Sequence, residues 1–154
     1  MLAICTVAFF GHRQLDNLEK VKRLLEKYVT DLLDKKEYVD FIVGRNGDFD
    51  YLAGSVITSI KKEYKHNNSL ILVLPYTIAE YKRKYLESYY DEVEISSFAE
   101  SVYPKQAIEK RNKEMVDRAN IVICYVTKKY GGAYTAVKYA YKQGKQVINL
   151  ADET

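Results

Sequence analysis

The sequence predicts an α/β fold in which helices cover both faces of a mainly parallel sheet. Short, nearly continuous apolar runs alternate along the chain with longer segments whose apolar residues recur every three or four positions. An apolar run without alternation is typical of a strand that is buried on both faces, and such strands occur in parallel sheets connected by helices. The predicted architecture is a Rossmann-like three-layer sandwich, in which ligands bind beyond the carboxyl ends of the strands.

Five runs have the length and composition of buried strands. They cover residues 3–10, 39–43, 70–74, 121–126 and 146–150, and a weaker pattern covers 93–95. Glycine-rich loops follow the first, second and fourth runs, while Pro75 ends the third. The glycine-rich loops therefore lie where a ligand is expected.

Helices are predicted between these strands. The first, from Leu15 to Leu33, has apolar residues on one face and Lys and Glu on the other. Pro104 can open a later helix, because the N–H that it lacks would have no helical partner there. The remaining helices are expected after residue 50, over 79–90 and over 134–143. Since there is no repeat and no linker, residues 1–154 are predicted to form one domain.

Composition excludes several classes of protein. With 154 residues, of which 47% are hydrophobic and 29% charged, the chain has the composition of an ordinary globular protein. The apolar residues 1–10 are too few for a signal peptide, and no other run approaches the roughly 18 apolar residues of a membrane span. Cys5 and Cys124 lie in separate predicted strands and are expected to be free buried thiols. A cytoplasmic protein with no membrane partner is predicted.

Charge and aromatic content bear on the partners. The 24 basic and 21 acidic residues are spread along the chain and give a net charge of +3, which argues against nucleic acid as a partner. Tyrosine is abundant, with 15 residues and no tryptophan, and Tyr81, Tyr85 and Tyr89 recur at helical spacing. Such a face packs its rings and leaves its hydroxyls in water. It would suit a dimer contact, so a homo-oligomer is a further expectation.

Glycines and polar residues gather at three predicted strand ends. Because the carboxyl ends of parallel strands meet at one edge of the sheet, these residues are expected to form one site. They are Gly11, His12 and Arg13 after the first strand, Gly44, Arg45, Asn46, Gly47, Asp48 and Asp50 after the second, and Gly131, Gly132, Tyr134 and Thr135 after the fourth.

The residue types favour an anion, and a nucleotide in particular. The Gly131-Gly132 turn before a helix would present backbone N–H groups and the positive end of the helix dipole. Arg13 offers a bidentate fork for phosphate or carboxylate. Thr135 adds a hydroxyl, Asp50 could accept hydrogen bonds from ribose hydroxyls, and Tyr134 could stack on a base. No cofactor and no metal site are predicted.

Several of these residues have a purely structural alternative. The glycine pair could form only a turn, and Asp48 or Asp50 could cap the second helix. His12 could donate a hydrogen bond to a backbone carbonyl instead of transferring a proton. Arg111 and Asn112, on the helix before the fourth strand, could belong to a solvated face. The residues alone leave these alternatives open.

Four elements follow one another in a recognisable order. They are Phe10-Gly11-His12-Arg13, Gly44-x-x-Gly47-x-x-Asp50, Arg111-Asn112 with Met115-Val116-Asp117, and Gly131-Gly132-x-x-Thr135 with Tyr139-Ala140. This order resembles the SLOG superfamily, which is related to the DprA and LOG families, and more closely its YpsA-like branch. The resemblance implies a Rossmann-like domain, bacterial or phage, that binds or senses a nucleotide or nucleotide-derived ligand. It is also the reason to include Arg111 and Asn112 in the site.

The resemblance bears on catalysis as well. The enzymatic relatives, cytokinin-activating phosphoribohydrolases, carry Pro-Gly-Gly-x-Gly-Thr-x-x-Glu, whereas Tyr130, Tyr134 and Lys138 stand here in place of the proline, the third glycine and the glutamate. An ammonium group cannot replace a carboxylate that stabilises a ribosyl cation, so binding or sensing without catalysis is favoured. Two alternatives remain: a single-stranded DNA-binding protein, and a hydrolase or transferase acting on the N-glycosidic bond of nucleotides through Asp48, Asp50 or Glu114.

Overall fold

The computed structural model describes residues 2–63, 65–97 and 103–154, without the side chain of Lys105. Strands and helices alternate along these residues. The strands are β1 (Ile4–Gly11), β2 (Tyr38–Val43), β3 (Asn68–Leu74), β4 (Glu92–Ile95), β5 (Ile121–Tyr125) and β6 (Gln146–Asn149). The helices are α1 (Leu18–Lys35), α2 (Asp48–Glu63), α3 (Glu80–Glu87), α4 (Pro104–Arg118) and α5 (Gly132–Lys142), and a 3-10 helix follows at Leu150–Glu153.

The described strands form a six-stranded sheet in the order β4-β3-β2-β1-β5-β6. Each pairing of neighbours is parallel, which confirms the predicted α/β sandwich with a mainly parallel sheet. The strand order reverses at β1: β2, β3 and β4 lie to one side of it, and β5 and β6 to the other. Gly11, which ends β1, is paired with Tyr125, which ends β5. A crevice forms at such a reversal, because the loops leaving the two strands turn toward opposite faces.

Two apolar layers hold the helices against the sheet. Successive residues of β1 alternate between them: Val7 and Phe9 belong to the cluster that includes α1 and α2, whereas Ala8 and Phe10 belong to the cluster that includes α4 and α5. Burying one large apolar side chain stabilises a fold by about 1.5–3 kcal/mol, so both layers contribute. No helix in the described part of the chain is both long and apolar enough to span a bilayer.

Some element boundaries differ from those predicted. α1 begins at Leu18, because the Leu15 N–H donates to the Asp48 carboxylate at 3.0 Å and keeps Leu15 in the preceding loop. α3 ends at Glu87, and α5 begins at Gly132. The weak pattern over 93–95 corresponds to β4, which pairs with β3. The apolar pattern thus predicts where the helices and strands lie, whereas a contact between loops determines the residue at which α1 begins.

Both cysteines are free thiols. Cys124 is fully buried in β5, and burial raises the pKa of its thiol to about 12. Cys5 is half-buried in β1, where burial raises its pKa and the charge of Lys36 acts in the opposite direction. Both thiols are therefore protonated, and hence poorly reactive, at neutral pH.

Gly11 is required at the end of β1 because Phe49 of α2 packs against it. A Cβ atom on Gly11 would lie closer than van der Waals contact, 2.2 Å, from Cγ of the fully buried Phe49. We expect Gly11→Ala to lower the free energy of unfolding by about 1–3 kcal/mol, the range for overpacked cores. Thermal denaturation followed by circular dichroism should show a fall in Tm of about 2–4 °C per kcal/mol.

Gly54→Ala is the matched control for that substitution. A Cβ atom on Gly54, in the interior of α2, would lie 3.9 Å from Cε1 of Tyr90, which is an ordinary contact. We expect this variant to be as stable as the wild type or more stable by up to about 1 kcal/mol, because alanine favours the helix. Equal losses of stability in both variants would contradict the role given to Phe49.

Candidate functional site

A cleft opens above the carboxyl ends of β1, β2 and β5, where the strand order reverses. Its volume is about 380 Å³, which lies within the range of small-ligand sites. The β1–α1, β2–α2 and β5–α5 loops and one face of α4 supply its walls. The parallel sheet thus brings residues that are far apart in the sequence to one edge.

Most of the predicted site residues line this cleft. Each of the three predicted strand ends contributes, and so does α4. The lining includes Gly11, His12, Arg13, Gly44, Asp50, Arg111, Asn112, Gly131 and Gly132. The placement of these residues is a finding, and their contact with a ligand stays a prediction.

Gly47 and Thr135 were predicted for the site but lie outside the lining. Gly47 permits close packing of two loops, because a Cβ atom there would lie 2.4 Å from Cα of Arg13. Thr135 uses its hydroxyl inside α5, where Oγ1 donates to the carbonyl of Gly131 at 3.0 Å. Both residues therefore have a role in the loops around the cleft, and their contact with a ligand stays a prediction.

Arg45 and Tyr134 also lie outside the lining. The guanidinium of Arg45 lies over the ring of Tyr51, with 5.2 Å between Cζ and the ring centroid. Tyr134 is half-buried in the first turn of α5 and is not among the residues that line the cleft. The predicted base-stacking role of Tyr134 therefore has no support in this geometry.

The cleft also contains residues that the sequence analysis did not assign to it. Lys128 and Tyr130 come from the β5–α5 loop, and Tyr130 is 68% exposed. Nζ of Lys128 lies 5.9 Å from the centroid of the Tyr130 ring. Tyr130 precedes the glycine turn, whereas the predicted ring, Tyr134, follows it. The other unassigned residues are Phe9, Phe10, Gln14, Asn46, Ile108, Met115 and Ala133.

Arg111 forms the floor of the cleft and does not belong to a solvated face. Its side chain is only 2% exposed. Nη1 donates to the carbonyl of Val73 and Nε to Oδ1 of Asn112, both at 2.9 Å. The hydrogen bonds around Asn46 are satisfied when its side-chain oxygen points toward Arg111. This oxygen then accepts a hydrogen bond from Nη2 of Arg111 at 2.7 Å. Burial lowers the pKa of the guanidinium and the charge of Asp50 raises it, so the carboxylate and the hydrogen bonds offset part of the desolvation cost.

Asp50 completes this floor. Its Oδ2 accepts a hydrogen bond from the Asn46 N–H at 2.9 Å. Burial raises the pKa of Asp50, while the Asn46 N–H and the charge of Arg111 act in the opposite direction. A Cβ atom on Gly44 would lie 3.1 Å from both Asp50 Oδ2 and Arg111 Nη1, so glycine leaves room for the two charged groups. Oδ2 is thus already engaged with the loop, which limits the predicted contact with a ribose.

Asp48 fixes the loop that carries Arg13. Its N–H donates to the Arg13 carbonyl at 2.9 Å, and its Oδ2 accepts from the Leu15 N–H at 3.0 Å. Asp48 therefore ties the β1–α1 loop to α2 and does not cap its own helix. The Arg13 guanidinium is exposed on the wall of the cleft, and no described residue forms an ion pair or side-chain hydrogen bond with it. The hydrogen bonds of Asp48 therefore fix the backbone at Arg13, while the guanidinium of Arg13 remains available to a ligand.

His12 accepts a hydrogen bond from the backbone and does not donate one to a carbonyl. Its Nε2 lies 2.9 Å from the Thr127 nitrogen, whose N–H donates to it. The ring also makes an edge contact with Tyr125, with 6.4 Å between the centroids. Desolvation lowers the pKa of His12, and the charge of Lys128 lowers it further. Neutral His12 therefore joins the β1–α1 loop to the β5–α5 loop.

The amino terminus of α5 supplies backbone donors to the cleft. Gly131 adopts a φ of 95°, which favours glycine, and it precedes the first residue of the helix. The Thr135 N–H makes the first hydrogen bond of the helix, to the Gly131 carbonyl. The N–H groups of residues 132–134 therefore have no helical partner, and together with the helix dipole they favour an anion.

The carboxylates do not form a catalytic pair. Among the described residues that line the cleft, Asp50 carries the only carboxylate. Oε2 of Glu114 accepts from the Ser96 hydroxyl at 2.7 Å, outside the lining, and Lys138 is exposed on α5. Cleavage of a glycosidic bond commonly uses two carboxyl groups on opposite sides of that bond. The geometry therefore gives no support to the hydrolase alternative.

The hydrogen bond between Thr127 and His12 predicts a pH dependence. Because the pKa of native His12 lies below its ordinary value of 6.5, the unfolded chain takes up the proton first as the pH falls. The stabilisation is therefore complete above 6.5 and is lost as the pH falls through the native pKa. We expect Tm to fall between about pH 7.5 and 5.5 in the wild type and to fall less in His12→Gln.

His66→Gln is the control, because His66 is exposed and is the second of the chain's 2 histidines. It should keep the pH dependence of the wild type. An NMR titration of the His12 ring would report its protonation directly. If His12→Gln lost as much stability as the wild type over the same range, the neutral ring would not be what joins the two loops.

Comparisons with known proteins agree on the fold. DNA processing protein A (DprA) from Streptococcus pneumoniae superposes with a TM-score of 0.67 at 17% sequence identity, covering 94% of this chain and 49% of that one. DprA from Helicobacter pylori, solved to describe its single-stranded DNA binding mode, superposes with a TM-score of 0.63 at 14% identity, covering 93% and 63%. The chain thus spans between about half and under two thirds of these proteins. No protein-family model and no curated protein matches the sequence.

These comparisons correct one prediction. The balanced charge predicts that nucleic acid is an unlikely partner, and that prediction is wrong. This fold occurs in DprA, and the Helicobacter pylori protein binds single-stranded DNA. A net charge of +3 over the whole chain therefore gives no ground for excluding a nucleic acid. The chain shares the Rossmann-like fold of DprA.

Proposed function

We propose that the cleft binds single-stranded DNA and holds one phosphate between Arg13, Lys128 and the amino terminus of α5. The observation that carries this proposal is that all three groups line the cleft, and that the hydrogen bond from Thr127 to His12 joins the loops that carry Lys128 and Arg13. The Arg13 fork matches two phosphate oxygens, and the backbone N–H groups of α5 bind without regard to base sequence. The DprA fold supports the same partner, since one solved DprA binds single-stranded DNA.

The charge that a ligand would meet is positive, although the charge of the chain is nearly balanced. Arg13 and Lys128 are exposed on the cleft. Asp50, in contrast, is drawn into the floor by the Asn46 N–H and by Arg111. Charges separated by more than about 8–10 Å of salt solution are largely screened. A phosphate in the cleft therefore responds to these local groups and not to the net charge.

Tyr130 supplies a surface for a base. Its ring is 68% exposed and lies on the cleft beside Lys128. Stacking of a base on an aromatic ring contributes about 1–3 kcal/mol and accepts any base. A phosphate held by Arg13 and a base stacked on Tyr130 would together fix one nucleotide of the strand.

A free nucleotide or nucleotide-derived ligand is the second candidate. The volume of about 380 Å³ and the polar floor of Arg111 and Asn112 favour it, because small-ligand sites combine concavity with a few placed polar groups. The same cleft would then serve in sensing. With this candidate we also propose that the chain belongs to the YpsA-like branch of the SLOG superfamily and that residues 1–154 form one domain. A cytoplasmic location is proposed as well, and the two free thiols support it.

Competition separates the two candidates. Fluorescence anisotropy of a labelled oligo(dT) of about 15 nucleotides would measure binding of single-stranded DNA. We expect an affinity for the labelled oligonucleotide that weakens steeply with salt. Unlabelled oligonucleotide should displace the labelled strand at a far lower concentration than any nucleoside monophosphate does. Tight binding of a monophosphate without binding of the oligonucleotide would instead establish the second candidate.

Arg13→Ala tests the phosphate contact. We expect the variant to bind the oligonucleotide more than about ten-fold more weakly and to lower the slope of log affinity against log salt by about 0.7, the value for one phosphate contact on a single strand. Its Tm should be nearly unchanged, because the guanidinium is exposed. The measurements are anisotropy titrations at several salt concentrations and thermal denaturation.

Arg23→Ala removes the same charge from the exposed surface of α1 and serves as the control. It should bind with nearly the affinity of the wild type. Similar losses in the two variants would mean that binding depends on overall charge and not on the cleft.

Gly132→Val tests whether the ligand approaches the start of α5. Nothing lies within 4 Å of a Cβ atom built on Gly132, so the larger side chain should be accommodated without loss of stability. It would project beside the backbone donors and should reduce oligonucleotide affinity by about ten-fold or more. Gly132→Ala should show a smaller loss. Full affinity in the valine variant would place the phosphate elsewhere.

A further inference from the structure

A second group of exposed aromatic side chains continues from the cleft across α2 and α3. We define the tyrosine surface as Tyr51, Tyr85 and Tyr89 together with Arg45. The three rings are 50%, 58% and 60% exposed. They do not belong to either apolar cluster of the core. Their rings are therefore available for contact with a ligand.

Arg45 connects the tyrosine surface to the cleft. Its two neighbours in the chain, Gly44 and Asn46, both line the cleft. Its own guanidinium turns away from the cleft and lies over the ring of Tyr51, with 5.2 Å between Cζ and the centroid. The backbone of one loop thus borders the cleft while its arginine borders the tyrosine surface.

The remaining two rings lie next to each other, in a segment that packs beside α2. Tyr85 and Tyr89 are in edge contact, with 5.2 Å between their centroids and 62° between their planes. A hydrogen bond with Tyr85 raises the pKa of the Tyr89 hydroxyl, and the charge of Arg45 acts in the opposite direction. Tyr90, the next residue, lies against α2, with 3.9 Å between its Cε1 and a Cβ atom built on Gly54, one helical turn after Tyr51. The segment that carries Tyr89 therefore lies beside α2, close to Tyr51.

The charges around these rings suit an anionic strand. Lys82 and Lys84 are exposed on α3, in the turn that precedes Tyr85. Arg83, in contrast, is engaged with Glu87 at 3.1 Å and with the carbonyl of Val93 at 2.9 Å, so it anchors α3 to β4. Exposed rings beside exposed cations are the combination that binds single strands without sequence preference.

We infer that single-stranded DNA leaving the cleft continues over the tyrosine surface, where further bases stack on Tyr85 and Tyr89 and the backbone passes Arg45. The inference rests on the proposed function, since the cleft must bind the first nucleotide. It identifies the ligand as a strand of several nucleotides, because a mononucleotide in the cleft would not reach α3. Affinity should therefore depend on strand length.

The double variant Tyr85→Ala/Tyr89→Ala tests this path. We expect it to bind an oligo(dT) of about 15 nucleotides at least about ten-fold more weakly than the wild type, and one of about 3 nucleotides equally well. The substitutions are exposed, so Tm should change little. Tyr85→Phe/Tyr89→Phe keeps the stacking faces and should retain the affinity of the wild type for the long strand.

Tyr141→Ala is the matched control, because Tyr141 is also 60% exposed but lies on α5 in the opposite layer. It should leave the affinity for both strands unchanged. Unaltered binding of the long strand by the double alanine variant would overturn the inference. So would a change of oligomeric state in sedimentation without loss of affinity, since the surface would then be a contact between copies of this chain.

The outcome also separates this inference from the proposed function. If the wild type binds neither oligonucleotide, both fail. If Arg13→Ala weakens binding of the short and the long strand while the double alanine variant binds both as the wild type does, the cleft is the site and only the path over α3 is wrong.

Discussion

The buried guanidinium of Arg111 is the interaction on which the rest of the site depends. An arginine that is 2% exposed is tolerated only when its donors are satisfied and its charge is countered. The carbonyl of Val73 and the side chains of Asn112 and Asn46 accept from it, and the carboxylate of Asp50 counters its charge. These partners come from β3, α4, the β2–α2 loop and α2. Arg111 therefore joins the two helical layers across the end of the sheet and fixes the floor of the cleft.

Two further contacts hold the walls above this floor. Asp48 binds the backbone on both sides of residue 14 through Arg13 and Leu15, and His12 accepts from Thr127. Arg13 takes part in these hydrogen bonds only through its backbone carbonyl, so its side chain remains free. The structure thus separates the residues that determine the shape of the cleft from those whose side chains remain exposed on its wall. Fixing a loop before binding reduces the conformational entropy that a ligand must order, which raises affinity without adding a contact.

The sequence was sufficient for the architecture and for the edge of the sheet that carries the cleft. Near-continuous apolar runs can be read from the chain, and parallel pairing then forces the strand ends together. It was not sufficient for the direction of individual side chains. Thr135 and Tyr134 follow the same glycine turn as the cleft residues, yet the helix geometry of α5 turns them away from the cleft. Likewise, nothing in the spacing around Arg111 distinguishes a buried residue of α4 from a solvated one, since the partners that permit its burial lie in other elements.

The charge argument failed for a related reason. A count over the chain weighs every ionic side chain equally, whereas a phosphate responds to those within about one Debye length. Several acidic groups are already paired outside the cleft lining, for example Glu94 with Arg118 and Asp91 with Lys61, each at 2.7 Å. Arg13 and Lys128 have no acidic partner among the described residues and share the cleft with one carboxylate, which is drawn into the floor. A chain with nearly balanced charge can therefore present a locally cationic site, because tertiary structure decides which charges are neutralised and which remain exposed.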